Sequence, residues 1–279
     1  MPVDSALRFR LLLDLARAGI FVRDETVAAI SKFARTVAPR FGWPPVQVPE
    51  IGQPVRVSVA GRTVEAWFAT PAQPATATVL LFHGIGDRIA YWRRVQERFA
   101  AAGFSSLVFH YAGYGQSAGQ TTPGNLALDA HAAYAWLRQR QPSLPCFLMG
   151  FSLGTGLAAE VANSLEPPAA GLILCEAYTS LRRATMQVVR AVPCAGRLMP
   201  DVWRTLDNVT QLRMPLLVVH SSADALFPPA MAEQLHAAAI AGGVASTLYI
   251  FPGYAHNAPY LQVPQDYWAA VAEFIAQPR

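Results

Sequence analysis

The sequence predicts an α/β fold in which a mostly parallel central sheet is flanked by helices. Three observations carry this. From residue 77 onward, short solid apolar runs alternate with helical stretches. The runs lack the in–out alternation of a half-exposed strand, which suits strands buried on both faces, the condition of a parallel sheet under helices. The chain has 279 residues, 53% apolar and 14% charged, enough for one such domain with an insertion and a large core.

The elements follow in order. Residues 1–45 read as a mainly helical extension closed by the breaker run "GWPP" (Gly42–Pro45). In "LRFRLLLDLARAGIFV", Leu7, Leu11, Leu12, Leu15 and Ile20 fall near one helical face. Asp14 and Arg17 interrupt the apolar stretch and no clear small-residue cleavage site follows, so a cleaved leader or spanning helix is disfavoured. The helix is expected to pack on the domain, with a peripheral membrane or dimer contact as its alternative partners.

Residues 46–279 are read as the main domain. "PVRVSVA" and "RTVEAWFA", joined around Gly61, alternate as a hairpin does. The solid runs are "TVLLF", "SSLVFH", "PCFLMGF", "AGLILCEA", "PLLVVH" and "STLYIF". Between and after them lie the helical stretches "YWRRVQERFAAAG", "NLALDAHAAYAWLRQR", "LGTGLAAEVANSL", "PAMAEQLHAAAIAGG" and "QDYWAAVAEFIAQ". Residues 178–214 form a longer gap, read as a short helical insertion that roofs a pocket in the manner of a cap.

Two stretches, "YAGYGQSAG" and "LMGFSLGTG", contain Gly-x-Ser-x-Gly, so Ser117 and Ser152 compete as nucleophile. A nucleophile elbow needs a strand entering the turn and a helix leaving it, whose first amides face a developing oxyanion. Ser152 has both. Ser117 is separated from its strand and precedes "QTTPG", so it belongs to a Gly-rich loop that it shapes, or lines a pocket with, as Tyr114 does. Gly154 and Gly156 would let the helix after Ser152 press on neighbouring strands.

A serine hydroxyl needs a base, and the base an orienting acid. In the chain order Ser, acid, His, His256 stands in the loop "FPGYAHNAP" after the last run. His236 is mid-helix, and His220 ends a strand before the acid candidate. Asp224, in "VVHSSADALFPP", is the expected acid, with Glu176 as rival and Asp207 as a weaker third. "LFHGIGD" follows the first central run. Its Ile85 amide, with that of Leu153, is the expected oxyanion hole; His83 and Gly84 would line the pocket, His83 holding the loop.

These residues resemble the α/β-hydrolase superfamily over roughly 50–277. Within it they are similar to the alpha/beta hydrolase domain-containing group of membrane-associated and thioesterase-like serine hydrolases. "FHYAGYGQSAG", "LRMPLLVVHSSADALFPPAMAEQL" and "FPGYAHNAPY" carry the likeness. The resemblance implies the α/β-hydrolase fold and a Ser152–Asp224–His256 triad. His110 and Ala112 replace the Asp and Arg of that group's Asp-Tyr-Arg-Gly-Tyr-Gly loop, and N-terminal cysteine clusters are absent, so neither the arginine's contacts nor lipid anchoring is carried over.

The function expected is hydrolysis of a carboxylic ester or thioester with a hydrophobic acyl group, without cofactor or metal. Peptidase or amidase activity, or a non-catalytic binding role, are the alternatives. The net charge of +4 has no dense basic run, which argues against nucleic acid. Cys146, Cys175 and Cys194 lack metal-ligand spacing and suit structural thiols in a reducing, cytoplasmic setting; a Cys146–Cys175 pair is the alternative.

Overall fold

The computed structural model describes residues 49–85, 89–188 and 201–277. Residues 1–45, for which an amphipathic helix and a membrane or dimer contact are expected, lie outside them, as does Cys194. Eight strands form one sheet: β1 (Gln53–Val59), β2 (Arg62–Ala69), β3 (Ala77–Phe82), β4 (Phe104–Phe109), β5 (Cys146–Phe151), β6 (Gly171–Cys175), β7 (Leu216–Ser221) and β8 (Ser246–Phe251). Their order is β1-β2-β4-β3-β5-β6-β7-β8. β1 and β2 form the expected hairpin and β2 lies antiparallel on β4; every other pairing is parallel.

The central strands β3 to β7 are buried throughout, and their side chains sort by parity. Leu80, Phe82, Leu148, Leu172 and Val218 face one core, shared with α2 (Pro123–Arg140), α3 (Leu153–Ala162) and α6 (Pro229–Ala241). Val79, Leu81, Phe147, Met149 and Ile173 face the other, with α1 (Ile89–Ala101) and α8 (Gln265–Ala276). The two-residue repeat of a strand therefore makes two cores from one run. The α2 helix begins cleanly: Thr122 accepts the Asn125 N–H and Pro123 opens the first turn.

β8 differs from its reading as a doubly buried strand. It is the sheet edge, with Tyr249 and Ile250 exposed. An apolar run alone does not distinguish an edge strand from a central one. Cys146 and Cys175 are buried free thiols, not a pair, and burial pushes the Cys146 thiol up to about 12.

In the 178–214 segment, α4 (Leu181–Val188) and α5 (Thr205–Val209) are described, while 189–200 are not. Trp203, Val209, Leu212 and Met214 are buried in the core that α3 shares, and the Leu206 N–H donates to the Thr179 carbonyl. This part of the segment is packed structure. α7 (Ala258–Leu261) follows the β8 loop. Among the described residues, no helix is long and apolar enough to cross a membrane.

Candidate active site

β5 delivers Ser152 and α3 carries the chain away. Ser152 adopts φ 50°, ψ −119°, a region that costs a non-glycine residue on the order of 1–3 kcal/mol. Its surroundings hold it there. The Ser152 N–H donates to the Cys175 carbonyl at 3.0 Å, and its own carbonyl accepts from the Thr155 amide at 3.0 Å and the Thr155 hydroxyl at 2.6 Å.

The flanking glycines are required by contact. A Cβ at Gly150 would stand 2.6 Å from the Gly154 carbonyl oxygen, and one at Gly154 would stand 2.2 Å from that of Phe82. The first turn of α3 thus lies against the end of β3, beside the loop that carries Ile85. Gly156 makes its close approach to Tyr178 and Trp203, rather than to a strand.

His256, from the loop after β8, brings Nε2 to 2.9 Å from the Ser152 hydroxyl. Its Nδ1 lies 2.7 Å from Asp224 Oδ2, which sets the tautomer: Nδ1–H donates to the carboxylate and Nε2 accepts from the serine. Phe151 and Phe227 flank the ring, each with its centroid 5.2 Å away. All three members of the chain are buried.

Asp224 follows β7, and its Oδ1 accepts from the Leu226 and Phe227 amides at 2.7 and 3.0 Å. Desolvation pushes this carboxyl up, but the His256 hydrogen bond and charge, with the Phe227 amide and His220, hold it below the usual carboxylate range. An ionised carboxylate, a neutral imidazole and a hydroxyl are connected in one line, an arrangement that can move a proton off the serine.

The comparisons with known proteins agree with this architecture. Residues 73–206 match the hydrolase family model described as serine aminopeptidase, S33. A carboxyl esterase from Bacillus coagulans superposes with a TM-score of 0.67 at 16% identity, covering 81% of this chain and 98% of its own. This chain has the α/β-hydrolase fold and resembles that superfamily in sequence. A Mycobacterium tuberculosis protein is 29% identical over 63% of this chain and 61% of its own length. The lysophosphatidylserine lipase of Danio rerio is 27% identical over 61% and 49%. The chain thus spans about half to three-fifths of the length of these relatives.

The other candidate residues lie as follows. Glu176, the rival acid, does not reach His256. It packs beside Asp224, and its Oε2 accepts from the Ser221 amide at 3.1 Å. Its Oε1 accepts from the Ser221 hydroxyl at 2.8 Å and the Tyr267 hydroxyl at 3.2 Å. Asp207 pairs with Arg204 on the surface. His220 Nε2–H donates to the Phe227 carbonyl at 3.0 Å, and burial lowers its basicity. His236 meets the Ser246 hydroxyl and His131 that of Ser164, both away from Ser152.

His83 is fully buried and stacked on Tyr111 at 4.2 Å, its Nδ1 2.8 Å from the Gly84 carbonyl. Burial and His110 drive its pKa down to about 3: a neutral ring that stiffens the loop before Ile85. Tyr114 is buried beside the same ring at 5.2 Å. Ser117 accepts from the Glu65 amide at 2.9 Å and donates to the His110 carbonyl at 3.2 Å, tying the Gly-rich loop to β2. Ile85 is partly buried and Leu153 buried, on the two segments that Gly154 joins. Sequence reasoning missed Tyr178, whose hydroxyl donates to the Leu153 carbonyl at 3.2 Å, and also Ser221 and Tyr267. Tyr178 stands in "CEAY" with Glu176, while Ser221 and Tyr267 carry no local pattern that marks them.

Proposed function

We propose that this protein is a serine hydrolase of carboxylic esters or thioesters that acts through an acyl-enzyme. The continuous hydrogen-bonded line Ser152–His256–Asp224, at 2.9 and 2.7 Å, carries the reading. Ser152 Oγ attacks the acyl carbon while His256 Nε2 takes its proton. Asp224 stabilises the imidazolium, and the Ile85 and Leu153 amides donate to the oxyanion. Such a donor contributes on the order of 3 kcal/mol to the transition state. The tetrahedral intermediate collapses as His256 protonates the leaving alcohol or thiol. His256 then takes a proton from water, whose oxygen attacks the acyl carbon, and returns it to Ser152 Oγ as the ester bond to the serine breaks and the acid is released.

Support for an acyl ester comes from the relatives' names, a carboxyl esterase and a lysophosphatidylserine lipase. A hydrophobic acyl group is proposed from the apolar residues of 178–214. Of these, Met186 is exposed, and the side chains of Val188, Val189, Leu198 and Met199 lie outside the description. The name of the matching family model, serine aminopeptidase, favours amide cleavage as the second reading. Parallel turnover of matched ester and anilide substrates by one preparation separates the two.

The test of the nucleophile is labelling by a fluorophosphonate. The wild type and Ser117→Ala should label and Ser152→Ala should not, with ester turnover in Ser152→Ala down by more than about 10³-fold. An unlabelled wild type would leave a binding protein that keeps the fold.

A further inference from the structure

Beside Asp224 is a buried group the reaction above does not use. Glu176 is fully buried just after β6, at φ 51°, a conformation that a glutamate adopts only when its surroundings hold it. The Glu176 and Asp224 carboxylates and the His220 ring each present an atom within 4.8 Å of the others.

Counting donors decides what lies between the carboxylates. Each carboxylate offers about four acceptor positions. Asp224 receives the Leu226 and Phe227 amides and His256 Nδ1–H. Glu176 receives the Ser221 amide, the Ser221 hydroxyl and the Tyr267 hydroxyl. Each acid therefore has three protein donors and one remaining position, and the two acids are buried neighbours. Two carboxylates in that relation do not both stay ionised.

The other groups facing Glu176 do not relieve it. His220 Nε2 lies 3.8 Å from Glu176 and 3.7 Å from Asp224, but its proton is given to the Phe227 carbonyl. That use also removes the lone pair by which the three residues, spaced as ligands for a cation, could bind one. The Cys175 thiol and the Tyr267 phenol are both held neutral by burial.

We propose that Glu176 is a positioning residue, a neutral carboxylic acid whose O–H donates to the Asp224 carboxylate and holds it facing His256. Asp224 is then the one buried anion of the cluster, with every acceptor position filled and no freedom to turn from the imidazole. Burial and the Asp224 charge hold the Glu176 proton to about pH 9. Above that, a second anion forms beside the first, the shared proton is lost and Asp224 loosens from His256.

The role in turnover rests on the Ser152–His256–Asp224 reading; the proton itself does not, so the two can fail separately. Infrared spectra of wild-type protein carrying ¹³C-labelled glutamate should contain an isotope-shifted neutral-carboxyl band near neutral pH that bleaches through about pH 9. That readout needs neither catalysis nor a variant. In kinetics, wild-type kcat should fall through the same pH, whereas Glu176→Gln, neutral at every pH, should lose that limb. Glu176→Ala should lower kcat about 10- to 100-fold, the effect of a misplaced catalytic group, with KM little changed. A glutamate band absent near neutral pH overturns the proposal, as do identical alkaline limbs in wild type and Glu176→Gln. A titrating band in a protein that no fluorophosphonate labels would leave the proton in place and remove the catalytic reading instead.

Discussion

Asp224 holds His256 in one tautomer, so its replacement by asparagine tests orientation rather than charge alone. The amide can present N–H to Nδ1, which favours the ring with its proton on Nε2, the nitrogen that must receive from Ser152. Asp224→Asn should retain the fold and lower kcat by about 10⁴-fold, as the loss of the correct tautomer does in triads generally. Fluorophosphonate labelling should slow in parallel. A loss of less than tenfold would mean that another acid orients the ring.

The same carboxyl makes a statement about pH. Its pKa is depressed in the folded chain, so its stabilisation is complete above the unfolded value of about 3.9 and is lost as pH falls through the folded value. Glu176 has the opposite sign. It keeps a proton up to about pH 9 that the unfolded chain releases near about 4.3, so stability declines with rising pH across that window. Melting curves should fall from pH 5 towards 9 more steeply in the wild type than in Glu176→Gln; parallel curves would contradict the sign.

The order of chemical groups along the chain pointed to Ser152, Asp224 and His256, and it left Glu176 as a rival acid because both carboxyls follow sheet strands. Their difference is geometric: the Glu176 backbone turns through φ 51° towards Ser221. No local residue pattern announces a left-handed glutamate.

At the scale of elements, the join between β5 and α3 is closely packed. Gly154 is packed against main-chain carbonyl, which cannot swing aside as a side chain can. Gly154→Ala should therefore destabilise the protein by roughly 2–3 kcal/mol, a fall in melting temperature of several degrees for a domain of this size. Any folded fraction should show a displaced Ser152 and much reduced turnover. An unchanged melting temperature would mean that α3 does not press on β3 in this way. Strand runs were legible because parallel strands are apolar on both sides. The exposure of β8 was not, because edge position is a property of sheet order. Trp203 and Val209 illustrate a related limit. Apolar residues in a long connection read equally well as a pocket roof or as core, and their contacts with α3 make them core.

Across the whole molecule, the antiparallel hairpin at one edge must be joined to the parallel sheet and its helices. One contact spans all three parts. Arg62 opens β2, Asp129 lies fully buried in α2, and their side chains approach to 2.5 Å. Asp129 also accepts from the Ala112 amide at 2.6 Å, in the loop that follows β4. Desolvation raises the Asp129 pKa, and the Ala112 amide and Arg62 offset this only in part. The pair therefore depends on both partners. Removing one leaves a charge or an acid buried without compensation, at a cost of about 3–5 kcal/mol, whereas replacing both with apolar side chains of similar volume can be neutral. Arg62→Met should lower the melting temperature markedly, and Asp129→Leu should do the same. The double variant should recover most of the loss, and the triad, on the other side of β3, should turn over ester at an almost unchanged rate. Additive losses in that cycle would mean that the hairpin is held by its apolar face alone, through Val57, Val64 and Phe68 against α2.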